Sequence, residues 1–164
     1  MDPGKDSGER EIRPGILELD HTADLGMRVV AEDREELFER AALGMFALMW
    51  GEDETGVAPA AEELPPSRTS EAGPIEERCV ELHADAIDML LARWLQELLY
   101  QYDAHGLVPA EMEFESLADT RLAARVRLTP VRDPPARELK GVTYHGLEVE
   151  RAGAGWRGQV IFDI

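Results

Sequence analysis

The sequence predicts an α+β domain in which two amphipathic helices pack on one face of a mixed or antiparallel β-sheet. Two long segments carry apolar residues at intervals of three and four, the period of a helix that is buried on one side. Other segments alternate apolar and polar residues like half-buried strands, without the regular strand-helix alternation of a parallel sheet. The length of 164 residues and the apolar content of 44% suit a single domain with its own core.

Local signals mark where both helices begin. The first helix is predicted over residues 35–49, with Asp33 as its N-cap and Glu36 at the position that completes a capping box. The second is predicted after Asp85, which is a suitable N-cap residue. Its apolar stripe indicates a surface that faces the core: Ile87, Leu90, Leu91, Trp94, Leu95, Leu98, Leu99 and Tyr102.

The predicted strands lie before, between and after these helices. A first strand is expected from Ile16 onward, and the others over residues 25–31, 75–83, 112–114, 122–128, 140–151 and 156–164. The last two are joined by a glycine-rich turn, which predicts a hairpin.

The ends and the middle of the chain differ in composition. Residues 1–13 are charged and poor in large apolar side chains, so we expect a flexible N-terminal tail that precedes a domain over 14–164. Residues 51–74 are rich in proline and glycine, which predicts an extended surface loop. No run of about 18 apolar residues predicts a membrane span, and the single cysteine, Cys79, suits a reducing compartment. We therefore expect a cytoplasmic protein.

The charge balance limits the choice of partners. Acidic residues number 34 and basic residues 17, giving a net charge of −17. Such a surface repels phosphate backbones, so we expect no autonomous nucleic-acid binding. The charge favours a basic protein partner or metal ions, although solubility alone would also account for it.

Catalytic signatures such as a phosphate-binding loop, paired cysteines or a nucleophile elbow are absent from the sequence. A polar cluster over residues 20–24 supplies carboxylate, imidazole and hydroxyl groups between two predicted strands. These side chains would either form a binding site or simply cap a turn through nearby backbone amides. Both interpretations stay open on the residues alone.

The last residues form a second candidate site. An apolar strand ends at Asp163 and Ile164, where a side-chain carboxylate and the α-carboxylate stand side by side. Two adjacent anionic groups predict a cation nearby. Alternatively, this segment only completes the sheet, or Lys140 neutralises it.

Three segments resemble the archease family. Residues 21–24 read His-Thr-Ala-Asp, the hallmark of that family, and residues 140–145 read Lys-Gly-Val-Thr-Tyr-His, close to its Lys-Ala-Val-Thr-Tyr-His strand. The final Asp-Ile is similar to the usual archease terminus. The sequence departs from the family pattern at Gly141, where alanine is common, and in the length of 51–74.

The resemblance implies a protein activator rather than an enzyme. Archeases activate the RtcB-type RNA ligase of tRNA splicing, promoting its guanylylation with GTP and its multiple turnover. By the same resemblance Asp24, Asp163 and the main-chain carboxylate of Ile164 match the family's ligands for a divalent metal ion. Ca²⁺ is the first expectation, with Mg²⁺ or Mn²⁺ as alternatives, because hard cations prefer oxygen ligands. His21 and Lys140 are expected to orient these carboxylates or to contact the partner.

Two other functions stay open. A metal-dependent hydrolase would use Asp24 and Asp163 as ligands and His21 as general base, and the isolated protein would then turn over a substrate. A metal-independent chaperone or adaptor would act on its partner even when divalent ions are removed.

Overall fold

The computed structural model describes residues 9–20, 24–51, 76–131 and 134–164. Within these ranges it contains eight strands and two helices. The strands are β1 (Glu9–Arg13), β2 (Ile16–Asp20), β3 (Leu25–Ala31), β4 (Glu76–His83), β5 (Leu107–Leu117), β6 (Arg121–Pro130), β7 (Gly141–Ala152) and β8 (Gly155–Asp163), and the helices are α1 (Arg34–Trp50) and α2 (Ile87–His105). The predicted α+β class is confirmed.

The strands form two antiparallel sheets instead of one. The larger sheet has the order β1-β2-β3-β8-β7, and the smaller has the order β4-β6-β5. Each helix contacts both sheets: α1 packs against β3 and β5, and α2 against β7 and β5. Each helix therefore buries apolar residues against two sheets. The apolar stripes in the sequence did not show whether a helix would face one sheet or two.

The helix termini show one cap as predicted and one that differs. The Asp33 side chain accepts a hydrogen bond from the Glu36 backbone N–H over 2.8 Å, which confirms it as the N-cap of α1. The prediction that Asp85 caps α2 is wrong, because Ala86 occupies that position and makes no side-chain cap bond. Gly106 ends α2 in the left-handed conformation, with φ of 67°.

The N-terminal tail predicted over residues 1–13 is too long. Residues 9–13 form β1, which pairs with β2 and buries Ile12 against the core. Ile12 is the single large apolar residue among charged ones, so this segment shows no alternation of apolar and polar residues. Only its pairing with β2 identifies it as an edge strand. Residues 1–8 lie outside the described residues, as does the predicted loop 51–74 apart from Gly51, the C-cap of α1.

The larger sheet has an inner face that packs on the helices and an opposite face, here called the outer face. Phe162 and Val160 of β8 point inward and belong to the main core. Because side chains alternate along a strand, Ile161 and Asp163 point to the outer face. Trp94 of α2 donates to the carbonyl of Phe38 in α1 over 3.1 Å, which joins the helices beneath this sheet. No helix in the described part of the chain is both long and apolar enough to cross a membrane.

Candidate metal site

The pairing of β3 with β8 brings Asp24 and Asp163 to the same end of the larger sheet. Leu25 pairs with Phe162 in the antiparallel register. Asp24 immediately precedes Leu25, and Asp163 immediately follows Phe162, so the two aspartates end neighbouring strands. Asp24 and Asp163 are far apart in sequence, and the pairing of β3 with β8 places them side by side.

Strand β7 supports Asp163 from its other side. Gly141 pairs with Asp163, and the backbone N–H of Lys140 donates to the Asp163 carbonyl over 2.7 Å. Asp163 therefore stands between the ends of two neighbouring strands, which limits the movement of its main chain.

The carboxylates at this end are accessible. Asp24 is half-buried, whereas Asp163 is exposed and Ile164 is 50% exposed. Within the described part of the chain, the ion pairs of arginines lie elsewhere and none involves these groups. All the donors are oxygens, the atoms that Ca²⁺, Mg²⁺ and Mn²⁺ prefer, so the residues present fit a hard divalent cation.

The described residues provide only part of a full ligand set. Among residues 9–20, 24–51, 76–131 and 134–164, no three side chains of His, Cys, Asp or Glu lie close enough to hold a metal ion. The three predicted ligands, two aspartates and the main-chain carboxylate of Ile164, would leave further positions for water or for a partner. His21 lies outside the described residues, so its predicted role stays a prediction.

Lys140 is exposed and borders a second feature, a cleft of about 210 Å³ between the ends of both helices and the segment before β7. Burial and the nearby Glu138 carboxylate raise the pKa of Asp103 in this cleft. Lys140 thus lies between two acidic regions, which is consistent with a role in balancing charge. Its predicted contact with a partner stays a prediction.

A bulge in β7 is a feature of the outer face that was not predicted from the sequence. The pairing of β7 with β8 shifts between Thr143 and Glu148, where Gly146 takes a φ of 70°. The Gln159 side chain donates to the Gly146 carbonyl over 3.0 Å. A glycine inside an otherwise regular strand pattern was the only signal for it.

The bulge displays two exposed side chains. Tyr144 is 58% exposed, and His145 is also exposed. Sequence alone indicates only a structural or surface role for each of the four histidines. In the structure His145 lies in the bulge, four residues after Gly141, which is the partner of Asp163.

Comparison with known proteins agrees with this architecture. The sequence profile of the archease protein family matches residues 17–164. The protein archease of Methanosarcina mazei is 31% identical over 153 residues, covering 89% of this chain and 93% of its own length. The protein archease of Thermococcus kodakarensis is 29% identical, covering 88% of this chain and 95% of its own.

Solved structures show the same fold. The solution structure of protein 1598 of Methanobacterium thermoautotrophicum has a TM-score of 0.68 and 27% identity, covering 93% of this chain and 100% of that one. The crystal structure of an archease, possible chaperone, from Thermotoga maritima has a TM-score of 0.57 and 18% identity, covering 89% and 94%. The second likeness supports the fold alone. With a family match over nearly the whole domain and a relative above 30% identity, the chain belongs to the archease family.

Proposed function

We propose that this chain activates an RtcB-type RNA ligase in tRNA splicing, promoting guanylylation of the ligase by GTP and its multiple turnover. The observation that carries the proposal is the meeting of Asp24 and Asp163 at the ends of β3 and β8. These are the positions that the family resemblance links to metal binding. The site of action is the cytoplasm, a reducing compartment that suits the free thiol of Cys79.

The groups that would hold a divalent metal ion are the side chains of Asp24 and Asp163 and the main-chain carboxylate of Ile164. Ca²⁺ is the first candidate, and Mg²⁺ and Mn²⁺ are alternatives. A bound divalent ion supplies positive charge that can neutralise phosphate oxygens.

The contribution of the chain's own residues is to present these carboxylates to a partner. Pairing with β7 holds the main chain of Asp163, the β3 pairing ends at its neighbour Phe162, and the carboxylates are not occupied by arginine or lysine within the described residues. The net charge of −17 disfavours direct binding of RNA, so the ligase would hold the RNA and the GTP. A basic surface on the ligase would complement the acidic end of the sheet.

The test is multiple-turnover RNA ligation by the cognate ligase at controlled GTP and metal concentrations. The wild-type chain is compared with Asp24→Ala and with Asp85→Ala, which removes an exposed aspartate before α2. We expect stimulation by the wild type and by Asp85→Ala, and loss of stimulation with Asp24→Ala. The same comparison with guanylylation of the ligase as the readout identifies the affected step.

Three other results would contradict parts of the proposal. Stimulation that survives both Asp24→Ala and chelation of divalent ions would indicate a metal-independent adaptor, in line with the possible chaperone of Thermotoga maritima. Substrate turnover by the isolated chain would indicate a metal-dependent hydrolase. No stimulation by the wild type would overturn the role in ligation.

A further inference from the structure

The bulge in β7 is built to hold a short turn above the outer face. Thr143 still pairs with Ile161, and regular pairing resumes at Glu148 with Gln159, so the four residues 144–147 of β7 stand opposite Val160 alone. Bulges of this kind re-aim side chains and are frequent beside functional sites. The turn covers Ile161, which is only 3% exposed although it faces away from the main core.

Several contacts keep this turn in one conformation. The Thr143 hydroxyl donates to the carbonyl of His145 over 3.3 Å, and the Gln159 side chain donates to the carbonyl of Gly146 over 3.0 Å. A Cβ at Gly146 would lie 3.1 Å from Ile161 Cγ1, so the turn already packs tightly on that side chain.

The turn exposes a tyrosine that makes no ring contact with the other described residues. Tyr144 is 58% exposed and takes part in none of the ring contacts found within the described residues. The other strongly exposed tyrosine of the described residues, Tyr100, contacts the ring of His105 instead. Tyrosine is enriched at interfaces, where its ring provides contact area at low entropic cost.

The charges beside the turn indicate the chemistry of a partner. Asp163 follows Ile161 by two residues on the same face, a separation of roughly 7 Å along a strand. Glu148 lies on the outer face at the other end of the turn, opposite Gln159, and forms no ion pair among the described residues. An acidic residue thus lies near each end of the turn, Glu148 directly after it and Asp163 opposite Gly141. An exposed ring on such an acidic surface favours an arginine or lysine of a partner, which can lie over the ring while its charge is balanced.

We propose that the turn carrying Tyr144 and His145 is a docking element for a basic surface of the partner protein, with a partner arginine or lysine over the Tyr144 ring. This inference rests on the proposed function and extends it, because it adds a protein-contact element beside the candidate metal site. Binding there brings the partner surface against Asp24 and Asp163. The turn then determines affinity for the partner, while the aspartates determine the metal-linked effect.

The experiment measures the Kd between the cognate ligase and the wild-type chain, Tyr144→Ala, Tyr144→Phe and the control Tyr100→Ala. We expect Tyr144→Ala to raise the Kd by at least about tenfold, in the range of interface hot spots. Tyr144→Phe keeps the ring and should stay within about threefold of the wild type. Tyr100→Ala, which removes a ring of equal exposure on α2, should leave the Kd unchanged.

The possible failures are distinguishable. Equal Kd values for Tyr144→Ala and Tyr100→Ala, with ligase binding and stimulation intact, would overturn the docking element and leave the proposed function standing. A large loss with Tyr144→Phe would overturn the proposed contact of a cation with the ring, because phenylalanine keeps the ring and removes only the hydroxyl. If the isolated chain binds a single-stranded RNA and Tyr144→Ala abolishes that binding, the turn contacts nucleic acid and the inference is wrong. Absence of ligase binding by the wild type would overturn both.

Discussion

The backbone N–H of Lys140 donates a hydrogen bond of 2.7 Å to the carbonyl oxygen of Asp163. Gly141 is the partner of Asp163 in the β7–β8 register, so this bond connects the residue before β7 to the same end of β8. It joins main-chain atoms only. A substitution of the Lys140 side chain therefore tests the role of its ammonium group and keeps the backbone hydrogen bond to the candidate metal site.

Lys140→Ala should leave the fold intact and should not weaken metal binding. Alanine keeps the N–H that bonds to Asp163, and an exposed ammonium contributes little to stability. Removing a positive charge beside carboxylates makes the local potential more negative, so the Kd for Ca²⁺ should stay the same or fall by up to about threefold. Thermal denaturation and calorimetric titration with Ca²⁺ check both expectations. A markedly raised Kd would mean that the ammonium orients the carboxylates, as the alternative expectation from sequence has it.

Calcium should raise the melting temperature of the wild-type chain. A ligand that binds only the folded state adds about 2.7 kcal/mol to the free energy of unfolding at a hundred times its Kd. For a domain of this size that corresponds to a rise in Tm of about 5–11 °C. Asp24→Ala and Asp163→Asn should each abolish the rise, whereas Asp85→Ala should keep it. A rise of equal size in all four proteins would place the ion elsewhere on the surface.

Glu18 has an ion-pair arrangement that gives a separate, pH-dependent test. Its two carboxylate oxygens accept from Arg137 over 2.7 Å and from Arg10 over 2.6 Å, and its side chain is 14% exposed. Burial by itself raises the pKa of Glu18, but the hydrogen bonds from Arg137 and Arg10 together outweigh it and lower the pKa below its ordinary value. The folded state therefore holds the ionised form more firmly than the unfolded state does.

Glu18→Gln should destabilise the protein at neutral pH and have a smaller effect in acid. Since the pKa is lowered on folding, the stabilisation is complete above the unfolded pKa of about 4.3 and is lost as pH falls through the folded pKa. We expect a loss of about 1–2 kcal/mol at pH 7 from charged hydrogen bonds. Urea denaturation between pH 3 and pH 8 measures it, with Glu111→Gln as a control. Glu111 is 67% exposed in its pair with Arg127, so that change should have no measurable effect.

The sequence predicted the helices well and the edges of the sheets less well. Helix α1 has a capped start at Asp33 and a dense apolar surface, both of which are local signals. Strand β1 has one buried apolar residue, Ile12, and exists because β2 offers it backbone partners. Pairing between distant strands is not encoded in any local period, and the division of the strands into two sheets depends on it.

The candidate site shows the same difference. Asp24 and Asp163 were identified through resemblance, and their meeting follows from the register of Leu25 with Phe162. No pattern in the sequence shows that Thr143 pairs with Ile161 while Glu148 pairs with Gln159. The exposed position of Tyr144 results from that shift, so it was not predictable from alternation, which assumes an unbroken strand.

Gly146→Ala should affect both stability and docking. Gly146 has φ of 70°, where a Cβ costs about 1–2 kcal/mol, and its Cβ would also press on Ile161 at 3.1 Å. Gly153→Ala is the matched control, because Gly153 has φ of 61° but a Cβ added there would meet no atom within 4 Å. Both variants should lower Tm, and Gly146→Ala should lower it more. Only Gly146→Ala should also raise the Kd for the ligase, since it displaces the turn that carries Tyr144. If Gly153→Ala raises that Kd equally, the effect comes from general loss of stability and not from the geometry of the turn.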